Sequence, residues 1–366
     1  MRALRFHGRE DLRLDTIPTD ECGPHDVRIK VGYCGICGSD IHEYLGGPIL
    51  APQHGEKHPY NGAELPVTMG HEMAGTITEV GKDVKDYSTG QKVAVIPAMD
   101  DRHYGLDPCD MCSRGKVNLC KRTAYYGLSA HVGGFADEIV VNHHAVLPLP
   151  DGMSLKLGAL CEPIAVAWHM VRVAGMVEGD NCVVLGAGPI GLALLLVLKA
   201  KKARKIIVSE VTASRAEAAK QFGADLVVNP LESDNTSGDP VVKAAHDLMG
   251  EGADISFDAS GIQATLNTAI ACVRPAGTVF NVAIHEKPLS INLNDLTMTE
   301  KKLTGGICYT REDFEGASQL VAGNSEEAEK MITSITALDD IVKGGFLELI
   351  NNKANHVKIL IEINKE

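Results

Sequence analysis

No apolar run in this 366-residue sequence reaches the roughly 18 residues that a membrane-spanning helix needs; the segment Ile190 to Leu198 is far shorter and stops at Lys199. Long runs of one charge are missing too, as are internal repeats and low-complexity segments. Positive charge is in deficit: 35 Lys and Arg against 48 Asp and Glu give a formal charge of −13. That balance repels nucleic acid and anionic lipid, so neither is expected as a partner. The opening Met1-Arg-Ala-Leu-Arg-Phe-His7 lacks the apolar stretch of a secretory signal, and a cytoplasmic address is expected. What remains suits an α/β enzyme with two cores: 45% hydrophobic residues, 23% charged residues and 37 glycines.

The ten cysteines are not spread as a disulfide framework. Cys34 and Cys37 lie together, as do Cys109, Cys112 and Cys120, while Cys22, Cys161, Cys182, Cys272 and Cys308 are scattered. In a large chain without a secretory signal, clustered cysteines point to metal and scattered ones to small buried hydrophobes.

Two textures divide the chain. Up to about residue 160, short alternating segments such as Val27–Val31, Ala74–Val80 and Lys92–Ile96 sit between Gly, Pro and Asp, which predicts a β-rich domain. From about Ile164, nearly all-apolar runs (Cys182–Leu185, Lys205–Ser209, Leu226–Asn229, Ile255–Asp258, Thr278–Asn281) alternate with helical stretches such as Gly191–Ala200 and Ala213–Phe222. Strands alternating with helices predict a doubly wound parallel sheet covered on both faces. The last 60 or so residues read as two amphipathic helices and a strand, Val357–Ile363, expected to rejoin the N-terminal domain. The expected division is 1–163 with 303–366, and 164–302. The polar stretch Glu232–Asp239 reads as a surface loop.

Gly186-Ala187-Gly188-Pro189-Ile190-Gly191 follows a predicted strand and opens a predicted helix. Gly186 permits a tight turn, Gly188 lets backbone approach a pyrophosphate, and Gly191 allows close helix–sheet packing; the helix N-terminus then faces the phosphates. Glu210, nineteen residues past Gly191, suits the ribose hydroxyls and repels a 2′-phosphate, favouring NAD over NADP. Arg215 offers the opposite preference by helping to seat a phosphate.

Cys37 and His71 sit on glycine-bearing turns, Gly35-Ile-Cys-Gly-Ser-Asp40 and Met69-Gly-His-Glu72. Thiolate and imidazole suit Zn²⁺, and three protein ligands with one open position define a catalytic site. Together with the Glu162-Pro163 pair and the glycine turn, in this order and spacing, these strings resemble the zinc-dependent medium-chain dehydrogenase family from end to end. Glu43-Tyr-Leu-Gly-Gly-Pro48, Glu162–His169 and Asn281–Pro288 are similar to its diol- and sorbitol-oxidising branch.

The resemblance implies a GroES-like catalytic domain and a Rossmann domain. It implies Cys37, His71 and Glu162 as catalytic zinc ligands, with Glu72 a neighbouring carboxylate that swaps in. Cys161 stays open as an alternative to Glu162, and Cys34 reads as a buried thiol. Ser39 and His42 match the family's proton relay from a zinc-bound alkoxide that passes hydride to the nicotinamide; on residue type alone, Ser39 equally caps a turn and His42 equally packs. Tyr44, Glu162 and the Gly46–Pro66 insertion are expected around the substrate. That substrate is a vicinal diol or hydroxyketone, (R,R)-2,3-butanediol and acetoin in particular, with sorbitol-type polyols or L-threonine the alternative. A cofactor-binding relative without activity would be expected to lack Cys37 and His71.

The family's second, structural zinc uses C-x₂-C-x₂-C-x₇-C. Cys109, Cys112 and Cys120 match its last three positions, whereas the first falls on Leu106, which cannot ligate. Asp101, His103 and Asp107 are the alternatives for a fourth ligand. A homodimer or homotetramer is implied, with Gly277–Ile284 either pairing across an interface or forming an ordinary sixth strand.

Overall fold

The computed structural model describes residues 1–232, 238–285 and 287–365, so most of the loop read at Glu232–Asp239 lies outside the described residues. The chain divides into two compact units, Met1–Glu162 with Thr310–Glu366, and Pro163–Tyr309.

The first unit is built on a seven-stranded sheet. Its main order is Val146–Pro148, Lys92–Val95, Glu72–Val80, Asp26–Gly35, Lys358–Glu362, Ile332–Ala337, and Glu138–Asn142 also pairs with Asp26–Gly35. In Asp26–Gly35 the alternation seen in the sequence turns Val27, Ile29 and Val31 into a core shared with Met73, Ile77 and Ile361, while Lys30 faces solvent. The last strand, Lys358–Glu362, runs antiparallel to Asp26–Gly35, with Leu360 opposite Gly35 and Ile361 opposite Cys34. The C-terminal strand is thus stitched beside the segment that leads into Cys37. A smaller sheet pairs Asp11–Thr16, Arg2–Gly8 and Val67–Thr68.

The C-terminal region contains one long helix, Arg311–Gly323, a short one, Ser325–Glu329, and a π-helical stretch, Ile341–Leu347, in place of a second regular amphipathic helix. The departure falls on Gly344-Gly345, where side chains have no room: a Cβ on Gly344 would meet Asp340 Oδ2 at 2.5 Å and one on Gly345 would meet Ile36 at 2.6 Å.

The second unit is a six-stranded parallel sheet in the order Leu226–Val228, Lys205–Ser209, Asn181–Leu185, Ala253–Asp258, Val273–Asn281, Lys302–Gly305. The central strands are apolar throughout because helices cover both faces; Val183, Val184, Leu185, Ile206 and Ile207 have no exposed surface. Helix Pro189–Ala200 buries every residue from Gly191 to Leu198. The strand order reverses between Asn181–Leu185 and Ala253–Asp258, and the crevice beyond their carboxyl ends is where such sheets bind dinucleotides. The edge strand is Lys302–Gly305, exposed along its length, and Gly277–Asn281 lies inside the sheet. Among the described residues no helix is long and apolar enough to cross a membrane.

Because Ile361 is fully buried between its neighbours in the first sheet, Ile361→Ala is expected to destabilise the first unit by about 2–5 kcal/mol. The check is a lowered thermal midpoint. An unchanged midpoint would show that the terminal strand contributes little.

Candidate metal and dinucleotide sites

Cys37 precedes helix Gly38–Gly46, and the side chain of Asp40 turns back so that its Oδ2 accepts the Cys37 backbone N–H at 2.8 Å. The same carboxylate presents Oδ1 to His71 Nδ1 at 3.4 Å. One fully buried aspartate therefore ties down the Cys37 backbone and faces the His71 imidazole. His71 follows Gly70, whose φ of +93° and whose position against Phe135 both demand glycine; a Cβ there would meet the ring at 2.7 Å.

Glu72 starts the strand after His71 and lies opposite Gly35. A Cβ on Gly35 would meet Glu72 Oε2 at 2.1 Å, so glycine at 35 is what admits this carboxylate. Both Glu72 oxygens accept from Lys358 Nζ, at 2.7 and 2.8 Å, and Lys358 also donates to the Ile36 carbonyl at 3.1 Å. Burial opposes the Lys358 charge, but Glu72, then Cys37 and Glu162, hold its pKa above the ordinary lysine value. Burial likewise opposes a charge on His71, yet Asp40 and Cys37 raise its pKa well above the usual range. The pocket of negative potential that favours a proton on His71 also favours a metal cation.

Ligand atoms of Cys37, His71 and Glu72 lie within 4.8 Å of one another. Sulfur, nitrogen and oxygen donors at that spacing fit a zinc ion. Ser39 Oγ stands 3.2 Å from His71 Nε2, on the rim of this donor set. His42 lies on the same helix and is exposed. Glu162 is buried in the first turn of helix Cys161–Val173 and reaches Lys358 electrostatically, but it is outside the close trio. Cys161 is fully buried with its sulfur near the Leu157 carbonyl, burial pushes its thiol up to about 12, and it is outside the close trio. Cys34 is buried too, and burial holds its thiol well above the ordinary value. Tyr44 packs edge-on against Phe346 at 5.9 Å. Glu43 is buried, and its carboxylate accepts the backbone N–H groups of Ile49, Leu50 and Ala51, which organises the start of the insertion.

Asp40, Glu43 and Lys358 escaped sequence reasoning. Asp40 was legible in principle, since a carboxylate three residues past Cys37 is a helix-start signal. Lys358 had no signal: it is 286 residues from Glu72. A second donor group gathers Asp101, Cys109, Cys112 and Cys120, again within 4.8 Å of one another.

In the second unit, Gly186 adopts φ +101° and its N–H binds the Ser209 carbonyl at 2.8 Å. A Cβ on Gly191 would strike the Gly186 carbonyl at 1.9 Å, whereas one on Gly188 would meet nothing within 4 Å. The backbone at Gly188 thus borders open space at the start of helix Pro189–Ala200, a cradle that fits a pyrophosphate. Glu210 Oε2 accepts from Ala187 N and Oε1 from Thr212 N, each at 2.8 Å, pinning the carboxylate beside the turn. Arg215 lies in the first turn of helix Ala213–Gln221.

Removing the Lys358 charge strands a buried carboxylate. Lys358→Met is expected to cost about 3–5 kcal/mol and to loosen zinc binding, while Lys358→Met with Glu72→Gln recovers much of the stability. Thermal midpoints with bound-zinc analysis read both, and equal losses in the single and double variants would refute the pairing.

Residues 23–151 match the alcohol dehydrogenase GroES-like domain family, and residues 189–323 the zinc-binding dehydrogenase family. The chain is 40% identical to an (R,R)-butanediol dehydrogenase of Saccharomyces cerevisiae, over 100% of this chain and 98% of that one. Its fold matches the crystal structure of 2R,3R-butanediol dehydrogenase from Bacillus subtilis with a TM-score of 0.91 and 36% identity, over 99% of each chain. It also matches a zinc-binding dehydrogenase from Sinorhizobium meliloti 1021 bound to NADP, with a TM-score of 0.84 and 26% identity over 99% of each chain.

Proposed function

We propose, from the premise that the chain belongs to the zinc-dependent medium-chain alcohol dehydrogenase family, that it interconverts (R,R)-2,3-butanediol and acetoin with NAD as hydride carrier. Membership makes it an oxidoreductase that uses zinc and a nicotinamide cofactor. The observation that carries the chemistry is the convergence of Cys37, His71 and Glu72 beside the Ser39 hydroxyl. The four-carbon diol is supported by end-to-end likeness to butanediol dehydrogenases.

When bound, zinc lowers the pKa of a substrate hydroxyl and nicotinamide accepts hydride. The chain's own residues hold, orient and deprotonate. Cys37 and His71 supply two ligands. Glu162 would supply the third, as the family pattern implies, with Glu72, held by Lys358, the neighbouring carboxylate that could take its place. Ser39 would accept the proton released from substrate as its own hydroxyl proton moves on, and His42, exposed one helical turn further on, would deliver a proton to water. Tyr44, braced by Phe346, borders the substrate.

In the second unit, Gly186, Gly188, Pro189, Ile190 and Gly191 cradle the pyrophosphate. Glu210 receives the ribose hydroxyls, and its fixed negative charge disfavours a 2′-phosphate despite the nearby Arg215. Cys109, Cys112 and Cys120 hold a second, structural zinc. The exposed edge Lys302–Gly305 pairs with a second copy to make a homodimer. All ten cysteines are free, which fits a reducing cytoplasm.

NADH formation is expected with (R,R)-2,3-butanediol, followed near 340 nm against the (S,S) and meso isomers, sorbitol and L-threonine. Activity should vanish on chelation and return with zinc. Preference for sorbitol or threonine would discard the diol and keep the metal chemistry. Glu210→Ser is expected to raise kcat/KM for NADP relative to NAD by about 10–100-fold, the scale of relieving one like-charge contact. An unchanged ratio would remove Glu210 as the selector.

A further inference from the structure

The lobe between Ala98 and Tyr125 is closed at its base by a two-stranded ladder in which Ala98 faces Tyr125 and Met99 faces Ala124. Between those strands three cysteine sulfurs and one carboxylate oxygen lie within 4.8 Å of one another. Asp101 is 1% exposed, and Cys109 and Cys120 are buried. Leu106, at the position where a fourth cysteine would be sought, is 43% exposed and carries no donor.

We infer that Asp101 is the fourth ligand of a closed, structural zinc centre whose other ligands are Cys109, Cys112 and Cys120. This rests on the proposal that the three cysteines hold a second zinc, and it adds the ligand that the cysteine spacing leaves undefined.

The geometry supports the carboxylate in three ways. Asp101 Oδ1 lies 3.4 Å from Cys120 Sγ. Around a tetrahedral zinc, bonds of about 2.3 Å to sulfur and 2.0 Å to oxygen separate the two ligand atoms by about 3.5 Å. Asp101 is also held as metal ligands are held: Oδ2 accepts the Cys109 N–H at 2.6 Å and Oδ1 accepts from Arg122 Nη1 at 2.7 Å. The Arg122 backbone N–H meanwhile points at Cys120 Sγ, at 3.4 Å. Finally, three thiolates and a carboxylate around Zn²⁺ leave two negative charges in excess, and the Arg122 guanidinium against Asp101 cancels one. The other residues weighed for this role do not join the group. His103 Nδ1 is taken by the Asp100 N–H at 3.0 Å, and Asp107 is outside the close group. Four protein ligands leave no open coordination position, so the centre holds the lobe together and takes no part in turnover.

The test uses the full-length enzyme with zinc replaced by cobalt, whose thiolate charge-transfer absorption counts sulfur ligands. Wild type should bind a second metal equivalent with the intensity of three thiolates beyond the catalytic site's own. Asp101→Cys should keep that equivalent and raise the lobe's charge-transfer intensity by about one third, as three thiolates become four. Asp101→Asn keeps the shape and a hydrogen-bond acceptor and removes the charged ligand. It should shift the cobalt d–d bands and speed metal loss to a chelator by at least tenfold. Cys112→Ser separates the two layers of the proposal. If Cys112→Ser loses the second equivalent while Asp101→Cys and Asp101→Asn leave the spectrum as in wild type, Asp101 is not a ligand and the zinc reading stands. If wild type and Cys112→Ser carry the same metal content, the structural zinc itself is refuted.

Discussion

Glu72 and Lys358 meet in a place that water does not reach, and each is costly there without the other. A buried carboxylate or ammonium left alone loses its hydration with nothing in return, whereas the pair satisfies both oxygens of Glu72 and ties Lys358 to the Ile36 carbonyl. Ile36 is the residue before Cys37. The pair therefore fixes the backbone that delivers the thiol, and it fixes the carboxylate that follows His71. It does so from the last strand of the chain, which is why the terminal strand must lie against Asp26–Gly35 for the donor set to exist at all.

Around that pair, the site is arranged by close approach. Gly35 leaves the space that Glu72 fills, Gly70 turns His71 inward past Phe135, and Asp40 reaches back to Cys37 while facing His71. The Asp40 and Glu72 carboxylates and the Cys37 sulfur converge there, and Lys358 is the ammonium set among them. A metal ion is the natural complement to these donors. Two nearby thiols lie outside the close trio: burial raises the pKa of both Cys34 and Cys161, and at Cys34 the carboxylates of Asp40 and Glu72 add to it.

The two donor groups differ in composition. The first combines a thiol, an imidazole and a carboxylate beside a hydroxyl, with Ser39 on its rim. The second gathers three thiols and a carboxylate inside one lobe.

How much of this was readable depends on whether the determining physics is local. The glycine turn was legible because its demands are local: a positive φ at Gly186 and a carbonyl 1.9 Å from any Cβ on Gly191. The parallel sheet was legible because strands covered on both faces must be apolar throughout. That Cys37 and His71 meet was legible through the resemblance of their two glycine-bearing turns to those of the zinc-dependent family. The edge of the parallel sheet was not, since Lys302–Gly305 is four exposed residues without an apolar run, and only its pairing with Val273–Asn281 makes it a strand. The grouping of Asp101 with the three cysteines was not, because His103 and Asp107 lie in the same short segment and only the fold decides which side chain meets the sulfurs. Lys358 was least legible of all. A lysine on an amphipathic strand reads as solvent-facing, and only the pairing of the chain's last strand with its third, bringing residues 286 apart into contact, converts it into the buried counter-charge on which the donor set rests.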